Sequence, residues 1–354
     1  MLIFFAPVLV GLFVYSYALI DPNLTLINHP LWVSFRDPLV YFGYYQRQTS
    51  TIVYILLLFL LFLFHWHFVK NYKRHSLWKI IGIISFFSVL SYPFLSHDLF
   101  NYIFDAKILT FYGDNPYTHI PGSYPNDEWI RFMHWTHRSY PYGPVFLPLT
   151  LVPSFLGFGK FILNFLFFKL LNFIFYGLGV YILNKMDKKW AMIFATSPLI
   201  IVEGLMNAHN DLIGVVLAFI GIYLLSRSKT MYSRIFFLAS VGIKYLTLPV
   251  LFLGDKTIKW NKLLFMIQIG IVLYLSFTSD LRPWYFLTIF AFLPLFPKQI
   301  HNFSFFFTGL LISYYPFIRF GNWEQMSIKY SIVYVAFGLN IAYLLARKYY
   351  FVKK

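Results

Sequence analysis

Residues 51–69 read TIVYILLLFLLFLFHWHFV, nineteen positions without an Asp, Glu, Lys or Arg. A helix of that length rises about 28 Å, close to the ~30 Å hydrocarbon thickness of a bilayer. The run predicts a membrane-spanning helix, and it is one of many. Working outward, similar stretches occupy 2–20, 78–95, 161–184, 190–205, 211–226, 262–279, 285–297, 301–318 and 328–346. Two further stretches are irregular. Residues 144–158 are apolar but short, which predicts a half-helix or re-entrant segment. Residues 233–253 are interrupted by Gly242, Lys244 and Pro249, which predicts two short helices meeting near Lys244.

Composition agrees. Of 354 residues, 59% are hydrophobic and 12% charged, about half the charge a water-facing domain needs; the mean hydropathy is +0.64. A chain this long with a soluble fold would still require a large polar surface. The net charge of +16 does not indicate nucleic acid, because the basic residues lie in short clusters between apolar runs. The chain has no cysteine, which excludes disulfides, thiolate zinc sites and thiol catalysis. Met1 to Ile20 lacks a basic leader and a small-residue cleavage site, and reads as a retained first span. Neither a phosphate-binding loop of the Walker type nor a dinucleotide-binding glycine pattern is present. No repeat of fixed period is visible, so the sequence does not suggest a solenoid or an inverted-repeat transporter. The fold class expected is an all-α, polytopic transmembrane bundle of about 11–13 segments, forming one domain over 1–354.

The loop charges orient it. With the N-terminus inside, the cytoplasmic connections carry Lys70, Lys73, Arg74 and Lys79; Lys185, Lys188 and Lys189; Arg227, Lys229 and Arg234; Lys256, Lys259 and Lys262; Lys298; and Arg347, Lys348, Lys353 and Lys354. Only two acids, Asp187 and Asp255, accompany these eighteen basic residues. The positive-inside rule then predicts a multi-pass protein with both termini cytoplasmic, and the acids and distinctive motifs outside. The membrane is the cell membrane if the source is prokaryotic.

The longest polar stretch is the external loop 96–143, after the third span. It opens with Ser96-His97-Asp98 at the membrane boundary and contains the turn Gly113-Asp114-Asn115-Pro116-Tyr117. Residues 98–110 have amphipathic helical spacing. Asp98, Tyr102 and Asp105 fall at i, i+4 and i+7, on one face that an outer-surface helix would turn toward an enclosed cavity. A carboxylate among aromatics at that boundary is a candidate proton acceptor; the competing role for Asp98 is a helix N-cap. Asn207-Ala208-His209-Asn210-Asp211 joins two spans through a short turn, with Glu203 two turns earlier. Arg282, before Pro283-Trp284-Tyr285, suits a phosphate clamp, although Trp284 and Tyr285 also fit an interfacial anchor. Lys244 inside an apolar segment needs a partner or a function; Lys169 also lies in one. His134 and His137 have chelating spacing but no evident third ligand. Asn23-Leu-Thr and Asn302-Phe-Ser match glycosylation sequons, a short pattern common by chance.

In order along the chain stand His97-Asp98 with Tyr102 and Asp105-Ala106-Lys107; Gly113-Asp114-Asn115-Pro116-Tyr117; Tyr140-Pro141-Tyr142-Gly143-Pro144; Ser197-Pro198 followed by His209-Asn210-Asp211; Lys244 with Leu248-Pro249 downstream; and Pro283-Trp284-Tyr285. Over roughly residues 90–290 this set resembles the GT-C superfamily of polytopic glycosyltransferases, especially the polyprenyl-phosphate-sugar-dependent branch that includes mannosyltransferases. The resemblance implies an inverting transferase moving a sugar, mannose above all, from a polyprenyl-phosphate donor to a glycolipid or glycan hydroxyl at the extracytoplasmic face. It places the catalytic base at Asp98 and makes 96–143 the main catalytic loop. Many relatives show paired acids there, whereas His97 precedes Asp98 here, so the second group is either Asp105 or a tuning His97. Lys244, Arg282, His209, Lys107 and Arg138 become candidates for the lipid phosphate, with Asp211, Tyr102 and Trp284 completing the donor site. No metal is implied as cofactor, no nucleic acid as partner, and membrane lipids surround the whole. A transporter or lipid flippase also needs intramembrane charge and broken helices, but would place it near the midplane. A scaffold gives no reason for these charges to converge.

Overall fold

The computed structural model describes residues 1–354 except 23, 25, 255–257 and 353–354. Asn23 and Thr25 of the first sequon, and Asp255, Lys256, Lys353 and Lys354 of the basic face, lie outside the described residues. The regular secondary structure of the described residues is all helical, with no strand. Its helices are α1 (Leu2–Ser16), α2 (Pro30–Tyr45), α3 (Arg47–Lys70), α4 (Leu77–Leu90), α5 (Asp98–Thr110), α6 (Phe146–Leu156), α7 (Phe161–Met186), α8 (Lys188–Thr196), α9 (Asp211–Leu225), α10 (Thr230–Ile243), α11 (Ile258–Thr278), α12 (Pro297–Asn302), α13 (Ser304–Ile312), α14 (Tyr315–Phe320) and α15 (Met326–Val352). A π-helical segment covers Ile200–Met206, and 3-10 turns cover Tyr245–Phe252 and Pro283–Phe292.

Five helical segments among the described residues are long and apolar enough to cross a membrane: Leu2–Leu19, α3, α7, α11 and the Met326–Tyr349 part of α15. A sixth arises if α8 and Ile200–Met206, bent by 70°, make one broken span. α3 illustrates the logic. Its apolar middle needs no polar partner, while its polar groups are tied to neighbours: Arg47 donates to the Phe317 and Ile318 carbonyls at 3.2 Å, and the Tyr54 hydroxyl to Leu311 O at 2.9 Å.

Other apolar stretches form shorter helices. The expected segments 285–297 and 301–318 divide into Pro283–Phe292 and the short helices α12, α13 and α14, with Pro283, Pro297 and Pro316 each starting a new turn. Residues 144–158 yield α6, at 11 residues too short to span. The predicted break at Lys244 is present: α10 ends at Ile243, Lys244 is extended (φ −142°, ψ 114°), and a 3-10 turn follows. Helix α2 is absent from the sequence reading, because Arg36, Asp37 and Pro38 interrupt its hydropathy; His29 caps it by accepting the Leu31 N–H.

The two ends of the bundle differ. At one, Asp187, Lys189, Lys298, Arg347 and Lys348 surround a depression of about 740 Å³, and Lys188 reaches the His75 carbonyl at 2.9 Å. At the other, the segment joining α4 to α5, the start of α5, the 134–143 part of the loop that follows, the Lys244 break and the residues after α11 line a second cavity.

Candidate active site

Asp98 is the first residue of α5. The residue before it, His97, occupies the N-cap without a side-chain cap bond, and the Asp98 N–H donates to Ser96 Oγ at 3.2 Å. Asp98 is therefore not the N-cap. Its carboxylate faces a cavity of about 500 Å³ whose walls include His97, Arg138, Lys244, Arg282 and Trp284. The predicted amphipathic surface helix is instead packed all round: Phe100, Tyr102, Phe104, Asp105 and Ile108 are all buried, against α6 and α7.

Behind Asp98 lies a carboxylate–imidazole–carboxylate line. His209 Nδ1 is 3.5 Å from Asp98 Oδ2, and His209 Nε2 is 3.3 Å from Glu203 Oε2. Trp284 stacks on the imidazole with centroids 4.4 Å apart and planes at 14°. Glu203 also accepts from Asn207 Nδ2 at 2.9 Å. This turn lies between the broken span and α9. Burial alone would push the His209 imidazole down, but the two flanking carboxylates outweigh it and lift the pKa to about 9. Burial likewise opposes ionisation of Asp98, yet His209, aided by Lys244 and Arg138, holds its pKa below the ordinary carboxylate value. The result at neutral pH is an ionised, desolvated carboxylate at the cavity wall.

The backbone that carries His209 is unusual, and α7 holds it. Ile200–Met206 is a π-helix, and Ala208 has φ +58°, a left-handed conformation rare for a residue with a Cβ. Lys169 Nζ donates to the Leu205 and Met206 carbonyls at 2.7 and 2.5 Å, and Asn172 donates to Ala208 O at 3.2 Å. The buried Lys169 side chain thus supplies the donors that the end of the π-helix lacks. This is the partner that the apolar position of Lys169 required.

The cations fall into two groups. Lys244 pairs with buried Asp211 at 3.0 Å and faces the cavity. Arg282 donates to the Tyr285 hydroxyl at 3.1 Å, and Arg138 lies 4.7 Å from the Trp135 ring centroid; neither has a carboxylate partner within ion-pair distance among the described residues. Lys107 lies elsewhere. It pairs with Asp127 at 2.5 Å and sits over the Trp129 ring, away from the cavity lining. Tyr102 does not line the cavity either; it packs edge-on to Tyr142 and Phe146, both at 4.9 Å.

Of the two candidates for a second catalytic group, Asp105 is buried two turns along α5 from Asp98 and does not line the cavity, and burial raises its pKa to about 8. It is a neutral acid near pH 7. His97 lines the cavity beside Asp98, with His134 stacked on it at 3.7 Å; burial and that second imidazole push its pKa down to about 3. His134 therefore serves as a stacking partner. Among the described residues no three His, Asp or Glu side chains are grouped as metal ligands.

Glu203 completes the arrangement, although its sequence signal was only an acid near the end of an apolar run. Tyr314, Trp323, Asp280 and Lys329 also line the cavity. Lys329, from the first turns of α15, was hidden in a stretch that reads as a span; it pairs with Asp280 at 3.0 Å.

A family model described as alpha-(1->6)-mannopyranosyltransferase, N-terminal domain, matches residues 10–255, a stretch that contains Asp98, Lys169, Glu203, His209, Asp211 and Lys244. No curated protein and no solved structure matches the chain.

Proposed function

The chain belongs to the alpha-(1->6)-mannopyranosyltransferase family, and from that premise we propose that it transfers mannose from a polyprenyl-phosphate donor to a glycan hydroxyl, with inversion, at the extracytoplasmic face. Membership makes it a membrane glycosyltransferase acting on a mannosyl donor and a glycan acceptor; the donor's lipid, the stereochemistry and the side of the membrane are our reading.

The observation that carries it is the opposition, in one cavity, of an ionised Asp98 to the guanidinium groups of Arg138 and Arg282, which lack carboxylate partners. A transfer needs both walls. Asp98 takes the proton of the acceptor hydroxyl as its oxygen bonds to the anomeric carbon. The bond from that carbon to the phosphate oxygen breaks, and the lipid phosphate leaves with the electron pair. Arg138, Arg282 and Lys244 neutralise the charge that develops there. His209, held between Asp98 and Glu203, keeps Asp98 ionised and aimed. A single displacement inverts the anomeric centre, so the family's α-linkage requires a β-linked donor.

Support for a lipid-borne donor comes from an apolar groove of about 760 Å³ along α3, α13 and α15. Its lining includes Ile312 and Ser331, each two residues from Tyr314 and Lys329 of the cavity. A prenyl chain lying there stays in lipid while its phosphate reaches the cations. Support for sidedness comes from the opposite end of the bundle, where the basic clusters collect, as cytoplasmic loops do. In this reading 1–354 is one catalytic domain, to which the 96–143 loop contributes His97, Asp98, Trp135 and Arg138.

The test is mannosyl transfer from synthetic β-linked polyprenyl-phosphate mannose by the purified protein. Removing a general base costs roughly 10²–10⁴-fold, so Asp98→Asn should lose at least that lower factor in kcat. Full activity in the variant removes Asp98 as the base, and transport of the donor across liposomes without transfer overturns the enzyme reading.

A further inference from the structure

We propose that the acceptor sugar binds on the wall formed by Trp323, Asp280 and Lys329, its ring against the indole and its hydroxyls on the ion pair. This deepens the transferase reading and rests on it. All three residues line the same cavity as Asp98, and all lie beyond the stretch matched by the family model.

Trp323 sits in the turn between α14 and α15. One of its faces is covered by Phe317, with centroids 3.9 Å apart and planes at 18°. The side chain nonetheless remains 41% exposed while contributing to the cavity. An interfacial anchor would explain an exposed tryptophan, but not one that is braced from behind and lines an enclosed site. The face of an aromatic ring is its electronegative side. The axial C–H groups of a pyranose carry small positive charges, so a sugar ring stacks there without needing a net charge.

The ion pair gives the second, independent observation. Lys329 Nζ bonds Asp280 Oδ1 at 3.0 Å; Lys329 is buried and Asp280 is 39% exposed. Here the carboxylate is the exposed partner and the ammonium the buried one, the reverse of Lys244 and Asp211, so this pair presents an acceptor to the cavity and not a cation for a phosphate. The carboxylate itself would repel a phosphate but accepts hydrogen bonds from neutral hydroxyls. Asp280 Oδ2 has no protein hydrogen-bond partner among the described residues. The pair also ties the end of α11 to the start of α15, but a tie alone has no reason to face the site. The cavity thus has a phosphate wall and a neutral-sugar wall, as transfer between a charged donor and an uncharged acceptor demands.

The experiment uses the full chain in nanodiscs with β-linked polyprenyl-phosphate mannose and octyl α-mannopyranoside as the acceptor probe. Trp323→Ala, Trp323→Phe and Asp280→Asn are compared for acceptor KM, donor KM and the slow release of mannose to water without acceptor. Stacking and hydroxyl contacts of this kind are worth about tenfold each. Trp323→Ala and Asp280→Asn should therefore raise acceptor KM about tenfold, leaving donor KM and hydrolysis unchanged, and Trp323→Phe should stay within about threefold. A parallel rise in donor KM, or a fall in thermal stability with unchanged acceptor KM, overturns the subsite. If the unaltered protein turns over no donor, the transferase reading fails first, and the subsite with it.

Discussion

Removing the His209 imidazole, by His209→Asn, tests the line Asp98–His209–Glu203 where its consequences are most measurable. The rise of the His209 pKa from 6.5 to about 9 corresponds to about 3 kcal/mol of preference of the folded protein for the imidazolium. The sign follows from proton counting. Between 6.5 and 9 the folded protein holds this proton and the unfolded chain does not, so the stabilisation is complete below 6.5 and is lost as pH rises through 9. Asp105 adds a slope of the same sign, because its folded pKa of about 8 exceeds the ordinary carboxylate value; that slope is spent above pH 8. Apparent Tm measured in nanodiscs should therefore keep falling between pH 8 and 9 in the unaltered protein and be flat there in the variant. The variant should also be less stable at neutral pH, since two carboxylates then share a buried region without their cation. In activity, Asp98 no longer has its imidazolium neighbour, so burial dominates and the acid limb of the kcat profile moves upward toward neutrality. An unchanged slope from pH 8 to 9, with an unchanged acid limb, would show that His209 is not the protonated link between the two carboxylates.

Lys169→Met leaves the Leu205 and Met206 carbonyls without their donor; kcat should fall at least tenfold with donor KM little changed, while Lys169→Arg should recover part of it, as steady-state kinetics will show. Arg282→Ala should raise donor KM about 10–100-fold, the worth of charged hydrogen bonds to a phosphate, with acceptor KM unaffected. Asp105→Asn replaces a group that is already neutral near pH 7, so kcat at pH 7 should stay within about threefold. The same variant should remove the Asp105 share of the stability slope between about pH 4 and 8, most clearly below pH 6.5 where His209 adds none, measured by thermal unfolding across that range.

Much of the site was legible because chemistry at a membrane boundary is conspicuous in an apolar sequence. Asp98, His209, Lys244 and Arg282 stand out as polar residues at the ends of hydrophobic runs; Asp98, Lys244 and Arg282 line one cavity, and His209 lies directly behind Asp98. Lys107 was misplaced for a geometric reason. Sharing a helix with Asp98 does not mean sharing a cavity, since nine residues of helix carry a side chain about 13 Å along the axis. Asp105, on the same face as Asp98, is displaced about 10 Å for the same reason. The role of Lys169 depends on carbonyl groups, which carry no signature in a sequence. Glu203 reads as an acid in an apolar run until the turn through Ala208 folds His209 back onto it. The helix count was also set by non-local structure, because proline and phenylalanine runs such as 283–320 look like spans but pack as short helices.

The irregular backbone and the chemistry coincide for a common physical reason. In a membrane bundle, regular helices satisfy their own polar groups, and any break exposes carbonyls and N–H groups that must be satisfied by protein or by a wet cavity. Here the breaks are the π-helix ending at Met206, the left-handed Ala208, extended Lys244 and the 3-10 turn from Pro283. Each of the last three sits next to or at a residue of the proposed machinery: His209, Lys244 itself and Trp284. A side chain leaving a regular apolar helix points into lipid or into a neighbour, whereas one at a break points into the space that the break opens. Lys169 and Asn172 stabilise the first two irregularities from α7 without entering that space. They make an otherwise costly backbone persist, so that one imidazole reaches two carboxylates whose Cα atoms belong to different segments. The cavity is thus a consequence of where the bundle stops being regular, and the charged residues at its wall are those that the breaks bring within reach of one another.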